Sequence, residues 1–394
     1  MKPYVFNLLP EDDLAEKLGR IRRHMAETGL DTLFIADNGN KYYLTGRIFS
    51  GYIIVTASEL FSFVKRPTCF SEDEVILIRK VEEIADHINV RALGRIGFEL
   101  SQTPYNDIVR YSKALLTTDF GNADAVMMAS RAIKTTYEIS KIRTSSDALS
   151  AVYRKIPSMY QEGMSDIELQ VEIERQSRLH GNLGIFRIIG QEMELNMGSV
   201  LVGDNADNPS PYDFAMGGSG IDPSLPVGAD GTIIRPGSTV MVDTNGNFTG
   251  YMTDMTRTFA CGEVSDTAYA AHRLSIEICE AIAKAGVPGT KAADLYNLAA
   301  DMTVSAGLAD RFMGHNSQAG FVGHGVGIAI NEWPVLAPRS RDVIALGNVI
   351  AIEPKFVIDG VGAVGVENTY VVTANGMEKL TRAPEDMLRL DEEI

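Results

Sequence analysis

The sequence has few of the residues that stabilise small extracellular domains or bind metals through sulfur. Its 394 residues include three cysteines, one tryptophan and six histidines. Cys69, Cys261 and Cys279 lie far apart and form no Cys-x-x-Cys pair, which argues against a disulfide framework or a thiolate zinc site. We therefore interpret the cysteines as reduced thiols in the core.

Long apolar runs and a positive net charge are also absent. No segment is long and apolar enough to cross a bilayer, and the first residues, MKPYVFNLLPEDDLAEKL, carry acidic groups where a signal peptide has its apolar region. The formal net charge of −16 disfavours nucleic acid and anionic membranes as partners. We expect a cytoplasmic globular protein that binds neither nucleic acid nor a membrane.

Length and patterning predict two domains. The first hundred or so residues alternate between helix and strand, and the segment EDDLAEKLGRIRRHMAETG places four apolar residues on one helical face: Leu14, Leu18, Ile21 and Met25. Beyond residue 186 the chain is rich in strands and glycines, with two long helical stretches between them. The boundary is placed near residue 125, which gives an α/β domain at 1–125 and a second domain at 126–394.

An internal repeat in the second domain points to its chemistry. In PGSTVMVDTNG and LGNVIAIEPKF, an apolar strand ends in a carboxylate, Asp243 in the first case and Glu353 in the second. Downstream, YMTDMTRTFACG and VGVENTYVVTANG supply a second acid each, Asp254 and Glu367, followed two residues later by a threonine. The repeat predicts a duplicated domain whose four carboxylates converge on one point.

Four converging carboxylates repel one another unless they share cations, and hard divalent metals prefer oxygen ligands. The segment GFVGHGVGIAINEWP adds His324, flanked by glycines that allow a close backbone approach. A nitrogen ligand shifts the preference towards manganese, iron, cobalt or zinc. Two such ions about 3.5–4 Å apart can hold a hydroxide nucleophile and polarise a carbonyl, so the pattern is typical of a hydrolase.

The residue order Asp, Asp, His, Glu, Glu resembles that of the creatinase/methionine-aminopeptidase superfamily, the pita-bread metallopeptidases. The segments that carry the resemblance are DTNGNFTGYMTDMTRT, GHGVG, AIEP and GVENTYVVT. The amino-terminal domain and the connector SRAIKTTYEISKIR are similar to the Xaa-Pro aminopeptidase and prolidase branch. The resemblance implies an α/β amino-terminal domain followed by an α+β pita-bread catalytic domain with an internal pseudo-two-fold repeat.

The resemblance also implies a set of roles. Asp243 and Asp254 would hold one divalent ion, His324 and Glu353 would hold the other, and Asp254 and Glu367 would bridge them. Glu353 and His324 would be the catalytic residues, with Glu353 handling the proton of the bridging water. Manganese is the first choice for both ions, with cobalt, zinc or iron as alternatives. Family members are commonly dimers, so a homodimer is expected.

Several positions depart from the peptidase pattern. Asn331, Val227 and Gly320 stand where the peptidases usually have histidines, and Gly365 stands where an arginine is common. Those family histidines position the substrate, and losing such donors can cost a factor of roughly 10²–10³ in rate. Asn331 and the nearby His315 are the candidates for substrate binding in their place.

These observations favour a dinuclear metallohydrolase that cleaves the N-terminal Xaa-Pro bond of short peptides through a metal-bridging hydroxide. Aminopeptidase and dipeptidase activity stay open. The alternative is a metal-dependent amidohydrolase or lyase acting on a small non-peptide substrate, similar to creatinase or ectoine hydrolase. A non-catalytic pita-bread binding module is disfavoured by the five retained ligands and the acidic charge. Arg257, in MTRT, is expected to brace the carboxylates.

Overall fold

The computed structural model describes residues 5–190, 196–212 and 214–392. The chain divides into two compact units, Met1–Arg131 and Ala132–Ile394. The division falls a few residues after the predicted boundary near 125, because the helix that begins at Asp124 still belongs mainly to the first unit. Among the described residues, no helix is both long and apolar enough to span a membrane.

The first unit is an α/β domain, as predicted. Its six-stranded sheet has the order β4-β3-β2-β1-β5-β6, in which β1 is antiparallel to β2 and parallel to β5. A core rich in aromatic and aliphatic side chains covers the sheet. The elements are α1 (Glu11–Thr28), β1 (Thr32–Ile35), α2 (Asn38–Thr45), β2 (Ser50–Thr56), β3 (Leu60–Arg66), β4 (Ile76–Leu77), β5 (Ile96–Phe98), α3 (Tyr105–Ala114), β6 (Phe120–Asn122) and α4 (Asp124–Ala132).

Helix α1 forms where it was predicted, but its buried face is different. Leu14 and Leu18 are only partly buried, whereas Asp13 and Lys17 are enclosed. The Lys17 ammonium lies 2.8 Å from the Asp13 carboxylate and 4.6 Å from the centre of the Tyr43 ring. The apolar periodicity is confirmed for Ile21 and Met25, which are buried, but not for the first two turns, where the charged pair one position away takes the core side of the helix.

A buried carboxylate ties β1 to the start of α2. One oxygen of Glu99 accepts the backbone N–H groups of Ala36 and Asp37, both at 2.7 Å, and the other accepts the amide of Asn40 at 2.7 Å. Burial, together with the nearby charge of Asp37, raises the pKa of Glu99 to about 7. The pKa of this group in the folded protein therefore lies well above its ordinary value near 4.5.

The raised pKa of Glu99 predicts a pH-dependent stability of the first unit. A carboxyl group whose pKa is higher in the folded state stabilises fully below its unfolded pKa and loses that contribution as the pH rises through the folded value. Between about pH 4.5 and 7, the free energy of unfolding should fall by on the order of 3 kcal/mol relative to Glu99→Gln. Urea unfolding followed by hydrogen exchange in peptides from residues 32–45 measures this difference. Glu59→Gln, which alters an exposed carboxylate, should reproduce the unmodified profile.

The second unit carries two larger sheets, with strand orders β17-β9-β8-β7 and β11-β10-β12-β15-β16, and the separate pair β13-β14. Cys261 and Cys279 are buried in this unit, but Cys69 of the first unit is exposed, so its predicted core position is wrong. The elements are α5 (Thr136–Tyr153), α6 (Asp166–Leu179), β7 (Gly198–Val202), β8 (Ser238–Asn247), β9 (Met252–Cys261), α7 (Asp266–Ala285), α8 (Ala292–Ser305), β10 (Gly323–Gly325), β11 (Glu332–Leu336), β12 (Val349–Ile352), β13 (Lys355–Ile358), β14 (Gly362–Gly365), β15 (Asn368–Thr373), β16 (Gly376–Lys379) and β17 (Leu388–Arg389).

The predicted repeat takes the form of two antiparallel strand pairs, β8 with β9 and β12 with β15. Glu353 directly follows β12, as predicted, and Glu367 directly precedes β15, so both lie at strand ends. Asp243 was also predicted to end its strand, but β8 continues past it to Asn247. Asp254 lies inside β9. The two pairs therefore deliver four acids to one place, although only the second pair does so from strand ends.

Candidate metal centre and active site

One cavity in the second unit collects the predicted ligands. It has a volume of about 250 Å³, and its wall includes all five candidate metal ligands: Asp243, Asp254, His324, Glu353 and Glu367. Asp243 and Asp254 come from one strand pair, Glu353 and Glu367 from the other, and His324 from β10 beside β12. The repeat thus explains why residues distant in sequence meet.

Within the cavity the ligand atoms form two overlapping groups. Asp254, His324 and Glu367 make one group, and Asp243, Glu353 and Glu367 make the other, with the ligand atoms of each group within 4.8 Å of one another. Glu367 belongs to both groups. The prediction instead placed Asp243 with Asp254 at one ion and His324 with Glu353 at the other, with Asp254 and Glu367 bridging them, and this assignment of residues to ions stays a prediction.

Neighbouring threonines hold the acids in place. Thr369 Oγ1 accepts the backbone N–H of Asp254 at 2.9 Å, and Thr256 Oγ1 donates to Glu367 Oε2 at 2.8 Å. The backbone N–H of Glu367 donates to the carbonyl oxygen of Thr256 at 3.1 Å. These bonds join β9 to the start of β15, so the two acids that lie on different strand pairs keep a fixed separation.

The glycines around His324 allow the close backbone approach that the sequence predicted. A Cβ atom on Gly323 would lie 2.4 Å from the carbonyl oxygen of Ala351, and one on Gly325 would lie 2.2 Å from that of Trp333. Larger residues would therefore push β10 away from its neighbours on both sides. His324 reaches the acids with Nε2 at 3.3 Å from Glu353 Oε1 and 3.9 Å from Asp254 Oδ2.

A lysine that the sequence analysis did not consider also lies in this cluster. The Lys355 side chain is completely buried, and Nζ lies 2.8 Å from both Asp243 Oδ2 and Glu353 Oε2 and 3.6 Å from Glu367 Oε2. A signal for it was present in the sequence, since Lys355 stands two residues after Glu353. Side chains two residues apart in an extended segment point to the same side.

Burial and the neighbouring charges shift the pKa values of three carboxyl groups in the cluster. Burial, and then the charges of Glu367 and Asp243, raise the pKa of Asp254 well above its usual range. Burial likewise raises the pKa of Glu367 to about 8. Burial acts in the same direction on Glu353, but the charge of Lys355 and the hydrogen bond with His324 outweigh it and lower the pKa to about 2.

The donor set suits a divalent cation at the group Asp254, His324 and Glu367. Glu367 Oε1 is buried and has no hydrogen-bond partner among the described residues, which is costly for a carboxylate oxygen in the absence of a cation. Carboxylate oxygens with one imidazole nitrogen are ligands that manganese, iron, cobalt and zinc accept. These residues can therefore hold a metal ion.

The two predicted substrate-binding residues occupy different places. Asn331 lines the cavity, but its side chain accepts the N–H of Ile189 at 2.7 Å and donates to the carbonyl oxygen of Ile189 at 2.7 Å. His315 is not among the described residues that line the cavity, and its Nδ1 lies 3.2 Å from Asp207. Asn331 fastens one wall segment, and a substrate-binding role for either residue stays a prediction.

The other three departures from the peptidase pattern lie in different places, and only Val227 is among the described residues that line the cavity. Val227 contributes to the wall, together with several large apolar side chains: Phe186, Ile188, Phe214, Met216, Phe321 and Ile330. Gly320 is exposed. Gly365 is the last residue of β14, where it pairs with Lys355.

Arg257 supports the site through the backbone. Its guanidinium donates to the carbonyl oxygens of Glu367 at 2.8 Å, Ala383 at 3.0 Å and Pro384 at 2.6 Å, and to the side chain of Asn368 at 2.9 Å. It was expected to brace the carboxylates themselves. Arg257 instead holds the backbone carbonyl of Glu367 and the side chain of the next residue, Asn368.

The chain combines an α/β domain with a second domain built on a duplicated strand motif. The cavity of the second domain holds four carboxylates and one histidine. This combination is typical of a two-domain metallopeptidase. The family model described as Metallopeptidase family M24 matches residues 140–374, and the model described as Creatinase/Prolidase N-terminal domain matches residues 17–133. The chain belongs to this metallopeptidase family. The predicted family resemblance and fold class are thereby confirmed, and the chain is a peptidase-type hydrolase of a metal-dependent family.

Known relatives match over nearly the whole chain. An uncharacterised peptidase of Bacillus subtilis is 26% identical, covering 95% of this chain and 100% of the relative. A Xaa-Pro dipeptidase of Pyrococcus horikoshii is 25% identical, covering 96% of this chain and 100% of the relative. The crystal structure of the prolidase from Pyrococcus horikoshii superposes with a TM-score of 0.78 at 23% identity, covering 95% of this chain and 100% of that one. This structural likeness shows the shared fold.

Proposed function

We propose that this chain hydrolyses the N-terminal Xaa-Pro bond of short peptides in a metal-dependent reaction. The observation that carries the proposal is the convergence of Asp243, Asp254, His324, Glu353 and Glu367 in one cavity. The similarity to Xaa-Pro dipeptidases supports the choice of substrate. A divalent cation, with manganese as the first choice, would supply a Lewis acid that polarises the carbonyl and makes water a stronger nucleophile.

The residues of the chain supply orientation and proton transfer. Glu353 is held as a carboxylate between Lys355 and His324, so it is in the form that can accept a proton from the attacking water. Asp254, His324 and Glu367 would hold the cation beside it. The second ion implied by the two-metal, bridging-hydroxide mechanism would have to share Asp243 and Glu353 with the ammonium group of Lys355.

The cavity wall favours substrates without a free carboxylate next to the reacting bond. His324 is the one residue in the described part of the wall that can carry a positive charge, and the remaining surface is largely apolar. An Xaa-Pro dipeptide would place its own carboxylate against this largely apolar wall. An unpaired buried charge of that kind is costly. We therefore propose Xaa-Pro-Yaa peptides as better substrates than Xaa-Pro dipeptides.

A hydrolysis screen of the manganese- and cobalt-loaded protein tests the proposal. It compares Xaa-Pro-Yaa tripeptides, Xaa-Pro dipeptides and matched peptides without proline, with the metal-stripped protein as control. The expected result is metal-dependent cleavage at the Xaa-Pro bond, faster for the tripeptides. Cleavage that is indifferent to proline would overturn the proposed specificity.

The second candidate is metal-dependent hydrolysis of a small non-peptide amide. It is favoured by the small cavity, whose wall is largely apolar apart from the candidate ligands, and by Val227 at a wall position where the peptidases were expected to have a substrate-positioning histidine. The same screen decides between the candidates if it includes neutral apolar amides. Cleavage of those amides, together with intact peptides of every class, would favour the second candidate.

A further inference from the structure

Lys355 is enclosed in a place where a charged side chain needs a specific reason. Its side chain has no exposed surface, and its ammonium nitrogen contacts Asp243 and Glu353 at 2.8 Å and lies 3.6 Å from Glu367. An ammonium group taken out of water is tolerated only where carboxylates or other acceptors surround it. These three carboxylates form one of the two ligand groups in the cavity.

The chain makes room for this lysine on the neighbouring strand. Gly365 pairs with Lys355 across β13 and β14 and has a φ of 148°, a conformation that other residues rarely adopt. A Cβ atom at Gly365 would lie 2.6 Å from the carbonyl oxygen of Pro354 and 3.3 Å from Cγ of Lys355. The absence of a side chain at Gly365 therefore leaves the space through which the Lys355 side chain passes.

The other ligand group, formed by Asp254, His324 and Glu367, can accept a metal ion. Glu367 directs Oε2 towards Thr256 and Lys355, while its Oε1 is buried without a hydrogen-bond partner among the described residues. Oε1 therefore remains available for the group formed with Asp254 and His324. Oε2 of Glu367 therefore faces the ammonium group of Lys355, and Oε1 can bind a metal ion from solution.

We propose that the ammonium group of Lys355 replaces one of the two metal ions, so that the chain binds a single divalent ion on Asp254, His324 and Glu367. The formal charges agree with this assignment, because one divalent ion and one ammonium group leave a single negative charge from the four carboxylates. A second divalent ion would have to compete with Lys355 for the same oxygens of Asp243 and Glu353. The proposal rests on the metal dependence of the proposed function but on neither its substrate nor its rate.

The number of bound ions tests the proposal. After loading with manganese and removal of excess metal, elemental analysis should find one ion per chain in the unmodified protein and two in Lys355→Met. Methionine fills a similar volume without the charge. Lys134→Met is a matched control, because Lys134 is also buried in an ion pair, at 3.1 Å from Glu332, and Glu332 belongs to neither ligand group. The control should keep one ion.

Electron paramagnetic resonance provides a second readout. Manganese ions in the unmodified protein should give the spectrum of isolated ions, whereas Lys355→Met should show the coupling between two ions that share Glu367. Two ions per chain in the unmodified protein, or equal numbers in the unmodified protein and Lys355→Met, would overturn the proposal. So would the absence of bound metal from both proteins.

A crystal of the unmodified protein soaked in manganese keeps the proposal testable if Lys355→Met does not fold. Anomalous scattering should place one ion beside Asp254, His324 and Glu367, and an ion between Asp243 and Glu353 would contradict the assignment. The outcome is separable from that of the hydrolysis screen. A one-ion protein that cleaves no peptide refutes the proposed function alone, whereas a two-ion protein that cleaves Xaa-Pro bonds refutes the role of Lys355 alone.

Discussion

Asp254→Asn should yield a folded protein that has lost its metal ion and most of its hydrolytic activity. Asp254 belongs to the ligand group that retains an open carboxylate oxygen, together with His324 and Glu367. An amide is a much weaker ligand for a divalent cation than a carboxylate. We expect hydrolysis to fall by at least roughly 10²–10³-fold, the loss typical of removing one preorganised group that stabilises charge. Metal titration by calorimetry and steady-state kinetics measure the two effects separately.

The same substitution should increase the stability of the metal-free protein. Asp254 is buried beside Glu367 and Asp243, and these surroundings disfavour its charged form. Asparagine keeps an oxygen that can accept the backbone N–H of Met255, which now donates to Asp254 Oδ1 at 3.1 Å. Removing a repelled charge at a functional site commonly stabilises by about 0.5–2 kcal/mol. Thermal unfolding in a chelator should therefore show a higher Tm for Asp254→Asn, and added manganese should raise Tm in the unmodified protein alone.

The opposite signs of these two effects separate a metal ligand from an ordinary structural acid. Asp301→Asn, an exposed change on α8, serves as the control and should alter neither metal uptake nor activity. If Asp254→Asn destabilises the metal-free protein while it keeps its metal ion, Asp254 is a structural residue and the ligand assignment is wrong.

The residues that meet in the cavity could be found from the sequence because each follows from a short pattern. A duplicated strand motif contains the four acids Asp243, Asp254, Glu353 and Glu367. His324 stands out because glycines flank it in the segment GHGVG. The strand arrangement of the second unit follows from the same repeat, since each copy supplies one antiparallel strand pair, β8 with β9 and β12 with β15. Patterns of this kind can be recognised in the sequence because each one consists of residues that are close together in the chain.

Lys355 was harder to find because its role depends on a partner in another segment. In the sequence it is one lysine at the start of a strand, and a lysine in that position is usually exposed. Its burial depends on Gly365 across the strand pair and on Asp243 from the first half of the repeat. Asp13 and Lys17 of α1 illustrate the same point, because a charged pair becomes a core feature only through Tyr43, which lies outside the helix.

Arg257→Lys should cause the largest loss of stability among the substitutions considered for the second unit. Arg257 is buried and makes five hydrogen bonds, four of them to the carbonyl oxygens of Thr256, Glu367, Ala383 and Pro384. Lysine has three donors on one atom and cannot reproduce this planar arrangement. Carbonyl groups left buried without a donor cost about 1–3 kcal/mol each, partly recovered by relaxation, so we expect a loss on the order of 3–5 kcal/mol.

The loss should extend to metal binding, which distinguishes Arg257 from an arginine that only stabilises the fold. Arg257 fixes the backbone of Glu367, the acid common to both ligand groups, so a looser backbone there should weaken manganese binding even at temperatures where the variant is folded. Chemical unfolding in a chelator measures the stability, and calorimetric titration at low temperature measures the affinity. Arg175→Lys is the matched control, since Arg175 makes an exposed pair with Glu172 on α6 and should change stability by less than about 0.5 kcal/mol. Equal effects of the two substitutions would show that the backbone at Glu367 does not depend on the guanidinium of Arg257.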